Sequence, residues 1–124
     1  MTKIKDSGKR REFSTGAVRD IQDDNNGRYD LLSPFALHRL AVHTAKGARK
    51  YSAKNWMKGV PLHSFFDSAV RHMFDYLANR LMNVEQDEDH LAAAFWNLQG
   101  LIHTEEMITR GELPQELDDM ALEK

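Results

Sequence analysis

Residues 87–110, DEDHLAAAFWNLQGLIHTEEMITR, place apolar side chains nearly all round a single helix. Leu91, Phe95, Leu98 and Ile102 form a main stripe at helical spacing, while His90, Ala93, Asn97 and Gly100 fall together on another face, alternating polar and small. A helix of this kind needs cover on more than one side. The chain has 124 residues, which suits one domain with a modest core. Burial on all sides is hard to arrange in a three-helix monomer of that length. The expected state is therefore a homo-oligomer whose subunits complete each other's core.

Two further helices precede this one. In LLSPFALHRLAVHTAKGARKY, Ser33 is a good N-cap and Pro34 suits the first helical position. Leu37, Leu40, Ala41, Thr44 and Ala48 share one face, and Arg39, Lys46 and Lys50 share another. Gly47, in the helix interior, costs about 1 kcal/mol against alanine and points to a close neighbour, either a helix or a ligand. The segment SAKNWMKGVP stops that helix. The next runs from about His63 to Met82, with Phe66, Val70, Met73, Leu77 and Leu81 as its apolar stripe and Asp67, Arg71 and Asp75 stacked on a neighbouring face. Gly111 ends the third helix, and the acidic tail after Pro114 has room for one short final helix. Residues 1–30 mix Gly, Asp, Asn and Arg and read as an irregular N-terminal arm, with Phe13, Val18, Ile21, Tyr29 and the adjoining Leu31 as anchors. Residues 31–124 read as the helical domain. No strand alternation is visible, so the fold class is all-α, a small bundle of three main helices.

Net charge is −2, which gives no general attraction to nucleic acid or to an anionic membrane. No apolar run approaches the roughly 20 residues of a membrane span, and the basic N-terminus has no apolar stretch behind it to make a signal peptide. Cysteine is absent, which removes disulfides, thiolate metal sites and cysteine nucleophiles and fits a cytoplasmic setting.

Two clusters have the right residue types for chemistry. Lys46, Arg49, Lys50 and Lys54 lie near Tyr51 and Trp56, a combination that suits phosphates with a stacked base. A solvated helix face is the plainer reading of these lysines. Glu85, Asp87, Glu88 and Asp89 lead into His90, and carboxylates with an imidazole suit a divalent cation, Mg²⁺ or Mn²⁺ where oxygens dominate. His72 and Asp75, three apart on the second helix, can face the same point. Acids at a helix start also complement the helix dipole without any ligand. That plain reading is weaker for His90 and Asn97, because buried polar groups need partners. No nucleophile elbow, Walker loop, dinucleotide fingerprint or zinc spacing occurs. An adjacent His-Asp pair is also absent, since the order here is Asp89-His90.

Six blocks follow in order between Phe13 and Met107, FSTGAVRD, GRYDLLSP, AKGARKYSAKNWMKG, FFDSAVRH, DEDHLAAAFWNL and IHTEEM, and the likeness they carry covers about Phe13 to Asp119. Together they resemble the tailed-phage dATP/dGTP diphosphohydrolase family, which is similar in role to the all-α MazG-like nucleoside triphosphate pyrophosphohydrolases. The resemblance implies cleavage of a purine deoxynucleoside triphosphate to monophosphate and pyrophosphate, in the host cytoplasm for a phage-encoded chain. It implies Mg²⁺ or Mn²⁺ held by acids on two helices. The paired E-x-x-E and E-x-x-D blocks of the MazG-like enzymes are replaced here by His72-x-x-Asp75 and Asp87-x-x-His90. The candidate metal ligands are thus His72, Asp75, Asp87, Glu88, Asp89 and His90, with Glu88 or Asp89 as catalytic carboxylate. Lys46, Arg49, Lys50, Lys54 and Arg71 are the candidate phosphate contacts. Trp56 is placed to stack the base, and Asn55 or Asn97 to read its edge. The alternative is a small helical phage protein that binds a nucleotide or a host partner without turnover.

Overall fold

The computed structural model describes residues 4–120, in two compact units divided between Leu32 and Ser33. The first unit holds a short antiparallel hairpin, β1 (Arg10–Glu12) and β2 (Val18–Asp20), with Arg10 opposite Asp20 and Glu12 opposite Val18. Its turn is closed by Phe13 N–H on the Ala17 carbonyl and Gly16 N–H on the Phe13 carbonyl. Asp6 accepts two bonds from the Arg10 guanidinium, at 2.7 and 2.9 Å. The hairpin corrects the expectation of a strand-free chain. Strands of three residues are too short for a period of two to stand out from the sequence around them.

The second unit carries three helices: α1 (Pro34–Lys50), α2 (Leu62–Leu81) and α3 (His90–Thr109). Ser33 caps α1 by accepting the Ala36 N–H at 3.1 Å, with proline in the first turn as expected. Asp89 caps α3 in the same way through the Ala92 N–H. The acids Asp87 and Glu88 therefore precede α3 rather than forming its first turn. No residue of the chain next to α2 caps its N-terminus. Asp119, from the C-terminal tail, does so instead, accepting the His63 N–H at 3.0 Å and pairing with the His63 ring. Gly111, with φ +75°, ends α3. Single 3₁₀ turns occupy Asn55–Lys58 and Gln115–Leu117. The latter is the short final helix. Among the described residues, no helix is long and apolar enough to cross a membrane.

α3 is the element on which both α1 and α2 pack, and the α2–α3 contact is the more extensive. The core is built from Leu62, Phe65 and Ala69 of α2, spaced i, i+3, i+7, against Ala92, Ala93, Ala94, Asn97, Gly100 and Thr104 of α3. The small face of α3 is therefore the buried one. The larger stripes turn outward: Leu91, Phe95, Leu98 and Ile102 on α3 are exposed, as are Phe66, Met73, Leu77 and Leu81 on α2. On α1, Leu40, Thr44 and Ala48 are half-buried, whereas Leu37 and Ala41 are exposed. Periodicity shows that a stripe exists, but not which stripe meets a neighbour within the same chain.

Gly100 makes the close α2–α3 approach possible. A Cβ there would lie 2.4 Å from Cε1 of the buried Phe65 ring. Overpacking a filled site costs about 1–3 kcal/mol, and a contact this short outweighs the propensity gain of about 1 kcal/mol. Gly100→Ala should lower the melting temperature by several degrees, followed by circular dichroism. Gly47→Ala should raise it, because a Cβ at Gly47 meets nothing within 4 Å. A stable Gly100→Ala protein would show that Phe65 does not depend on this gap.

Candidate functional site

A cleft of about 870 Å³ opens in the helical unit, walled by one face of α1, the connector that follows it, α2, and the start and middle of α3. The face of α1 is the polar one. Arg39, His43, Lys46 and Lys50 follow one another at three- and four-residue intervals and all line the cleft. Gly47 lines it too, in open space, so its missing side chain leaves room in the cleft rather than admitting a neighbouring helix.

At one end stand the imidazoles and acids. The Nδ1 atoms of His72 and His90 are 3.0 Å apart. Glu88 Oε1 lies 3.9 Å from the first and 3.6 Å from the second. These three atoms are the only group of three or more such side chains among the described residues arranged to hold one ion. Two of the three spacings fall in the range of about 3.0–3.6 Å expected between atoms about 2.0–2.2 Å from a common metal, and the His72–Glu88 spacing of 3.9 Å is slightly longer. His90 is buried, and its Nε2 lies 2.7 Å from Asp87 Oδ1. The bond from His90 holds the Asp87 carboxyl below the usual carboxylate range. Burial pushes the His72 imidazole below its ordinary value, against the opposing charge of Glu88. His72 is thereby favoured neutral, the form in which a ring nitrogen can accept or ligate.

Asp89 is otherwise engaged. The Arg39 guanidinium donates to both its oxygens, at 2.6 and 2.8 Å, and holds its pKa down at about 2. The same carboxylate caps α3. Asp75 and Asp87 lie outside the three-atom cluster and do not line the cleft, and neither does His90 itself. Lys46, Lys50 and Arg71 reach the cleft without a carboxylate partner among the described residues; Arg71 meets only the Ser68 hydroxyl, at 3.3 Å. Arg49 and Lys54 are exposed and lie off the cleft wall.

The other end is aromatic. Trp56, on the 3₁₀ turn, lies 6.1 Å from Trp96 and 4.9 Å from His103, both edge-on, and Phe65 and His43 flank Trp96 at 6.1 and 5.9 Å. Asn55 and Asn97 line the same space. Asn97 donates from Nδ2 to the Ala93 carbonyl at 2.8 Å, which leaves its Oδ1 as an acceptor. Trp96 and His43 are cleft residues that the sequence did not single out, and Arg39, placed on the Lys46–Lys50 face, was not named as a site residue. His43 sits on that same stripe, so helical spacing was the available signal.

Residues 17–112 match the family described as dATP/dGTP diphosphohydrolase, N-terminal. No curated protein and no solved structure matches the chain.

The Arg39–Asp89 pair ties α1 to the N-terminus of α3. Asp89 falls from an ordinary 3.8 to about 2 on folding. A depressed carboxylate adds stability above its unfolded pKa and loses it as pH falls through the folded one. The pair is partly exposed, so solvent screening limits its contribution to about 1 kcal/mol. Arg39→Ala should lower the melting temperature at neutral pH, and the gap to the unaltered protein should close between about pH 4 and pH 2. A gap independent of pH would mean that Arg39 acts through packing alone.

Proposed function

The chain belongs to the dATP/dGTP diphosphohydrolase N-terminal family, and from that premise we propose that it hydrolyses dATP and dGTP to the monophosphate and pyrophosphate with a divalent metal ion. One observation carries this reading: unpaired cations, the His72 and Glu88 members of the imidazole–carboxylate cluster, and the Trp56–Trp96 pair line one cleft, with His90 buried directly behind His72. A triphosphate, its metal and a purine need those three environments in that relation.

Lys46, Lys50 and Arg71 neutralise the β- and γ-phosphates, each as a charge-assisted donor. Trp56 and Trp96 form the apolar wall for the base. The Asn97 Oδ1 accepts from an amino or ring N–H group on the base edge. His72, Glu88 and His90 would hold the ion, which would supply positive charge against the phosphate oxygens. Water adds to the α-phosphorus, the bond to the β-phosphate oxygen breaks, and pyrophosphate leaves. Glu88 is the carboxylate available to take the water's proton. Asp89 is committed to Arg39, and its part is to fix the start of α3, which carries His90. Arg49 and Lys54 have no role in this reading.

A second copy of the chain is the occupant we infer for the outer apolar stripes. Ile102 is 67% exposed and Leu81 78%. Large apolar side chains left exposed along both helices are the kind of surface that interaction sites use. Light scattering should give at least twice the mass of one chain. A monomer at micromolar concentration would remove the inference.

Incubation with each dNTP and Mg²⁺ or Mn²⁺ should release pyrophosphate and monophosphate from dATP and dGTP, and EDTA should stop it. Lys50→Ala and Arg71→Ala should each cut kcat/KM by roughly tenfold or more, since a charge-assisted contact contributes about 1.5–3 kcal/mol. Their melting temperatures should not change, because both side chains are exposed. Nucleotide binding without pyrophosphate release would overturn the hydrolase in favour of a binding protein.

A further inference from the structure

We propose that the His72–Glu88–His90 cluster selects a first-row transition ion, of the Mn²⁺ or Co²⁺ kind, over Mg²⁺, and that Asp87 positions His90 for that ion. The inference rests on the hydrolase reading for the ion's purpose, though not for its binding.

The donor set is the first reason. The cluster offers two imidazole nitrogens and a single carboxylate oxygen. Mg²⁺ is a hard ion that takes oxygen ligands and keeps several of its waters. Imidazole suits later divalent ions, whose affinity for such sites rises from Mn²⁺ towards Co²⁺. A site made for Mg²⁺ on these helices would use acids, and acids are near at hand. Asp87 and Asp89 lie within three residues of His90, yet Asp89 is bonded to Arg39 and Asp87 to the far side of the His90 ring.

That far-side bond is the second reason. His90 is 4% exposed, so packing prevents its ring from turning freely. Its Nε2–H donates to Asp87 at 2.7 Å, which leaves the lone pair of Nδ1 facing His72 and Glu88. A carboxylate behind a ligating imidazole fixes its tautomer and raises its basicity. Asp87 is itself exposed, so this bond is its evident task in the structure. His72 then completes the pair across 3.0 Å, from a different helix.

The test uses metal-free protein and metal salts alone, without nucleotide. Binding is followed by the electron paramagnetic resonance of Mn²⁺, by visible absorption for Co²⁺ and by calorimetry for Mg²⁺. Co²⁺ should bind more tightly than Mn²⁺, and Mn²⁺ at least tenfold more tightly than Mg²⁺. Bound Mn²⁺ should show nitrogen modulation in spin-echo spectra. Asp87→Ala should weaken Mn²⁺ by roughly 10–100-fold, and Asp87→Asn, which keeps an acceptor oxygen, should restore part of that loss. His90→Ala risks the fold because the ring is buried, so Glu88→Gln and His72→Ala are the ligand variants. Mg²⁺ binding as tightly as Mn²⁺, or Mn²⁺ affinity unchanged in both ligand variants, would overturn the site. Unchanged affinity in Asp87→Ala would overturn the positioning role. Selective metal binding without dNTP turnover would sink the hydrolase alone, whereas turnover with Mg²⁺ and no selective binding would sink this inference alone.

Discussion

The flat contact between the Phe65 ring and Gly100 sets how close α2 and α3 can come, and the rest of the helical unit follows from that distance. A larger residue at 100 would hold the helices apart at one end of the pair. At the other end, further along α2 and nearer the start of α3, the same closeness brings His72 to His90. Small side chains at 92, 93, 94 and 100 make the approach possible along the whole seam. Interaxial distance depends on the side chains at the contact, so the composition of the α3 inner face sets the separation of two imidazoles that no stretch of sequence links.

The charges of the cleft divide into those the fold uses and those it leaves free. Arg39 and Asp89 neutralise each other and fasten α1 to the cap of α3. Lys46, Lys50 and Arg71 have no such partner among the described residues, and they line the same cleft as His72 and Glu88. Unpaired cations around a concave site raise the local potential for anions. The opposing charge of Glu88 lines the same cleft, beside His72, where an ion would offset it.

Packing inside the chain consumes the small and polar face of α3 and leaves the large apolar stripes of α2 and α3 outside. Two elements of this length can bury only a fraction of their apolar surface against each other. The outward stripes and the inward alanines are two aspects of one arrangement: the narrow face suits the close α2–α3 seam, and the broad one is available for a surface that is not part of this chain.

Local signals were sufficient for much of this. Ser33 with Pro34 marked the start of α1, Gly111 the end of α3, and the segment SAKNWMKGVP the connector after α1, because caps and breakers act through backbone geometry within a few residues. The polar stripe of α1 was legible for the same reason: spacing along one helix places Arg39, Lys46 and Lys50 on one side whatever surrounds them. The six ordered blocks were enough to name the family. Only the tertiary structure decided which face of α3 is buried, that Asp89 belongs to Arg39 and Asp87 to His90, that Asp75 stays out of the cluster, and that Trp96 joins Trp56 across the cleft. Each of these is a choice among partners on different helices. Such choices are made by the packing distance and rotation between elements, which the residues of any one segment do not contain.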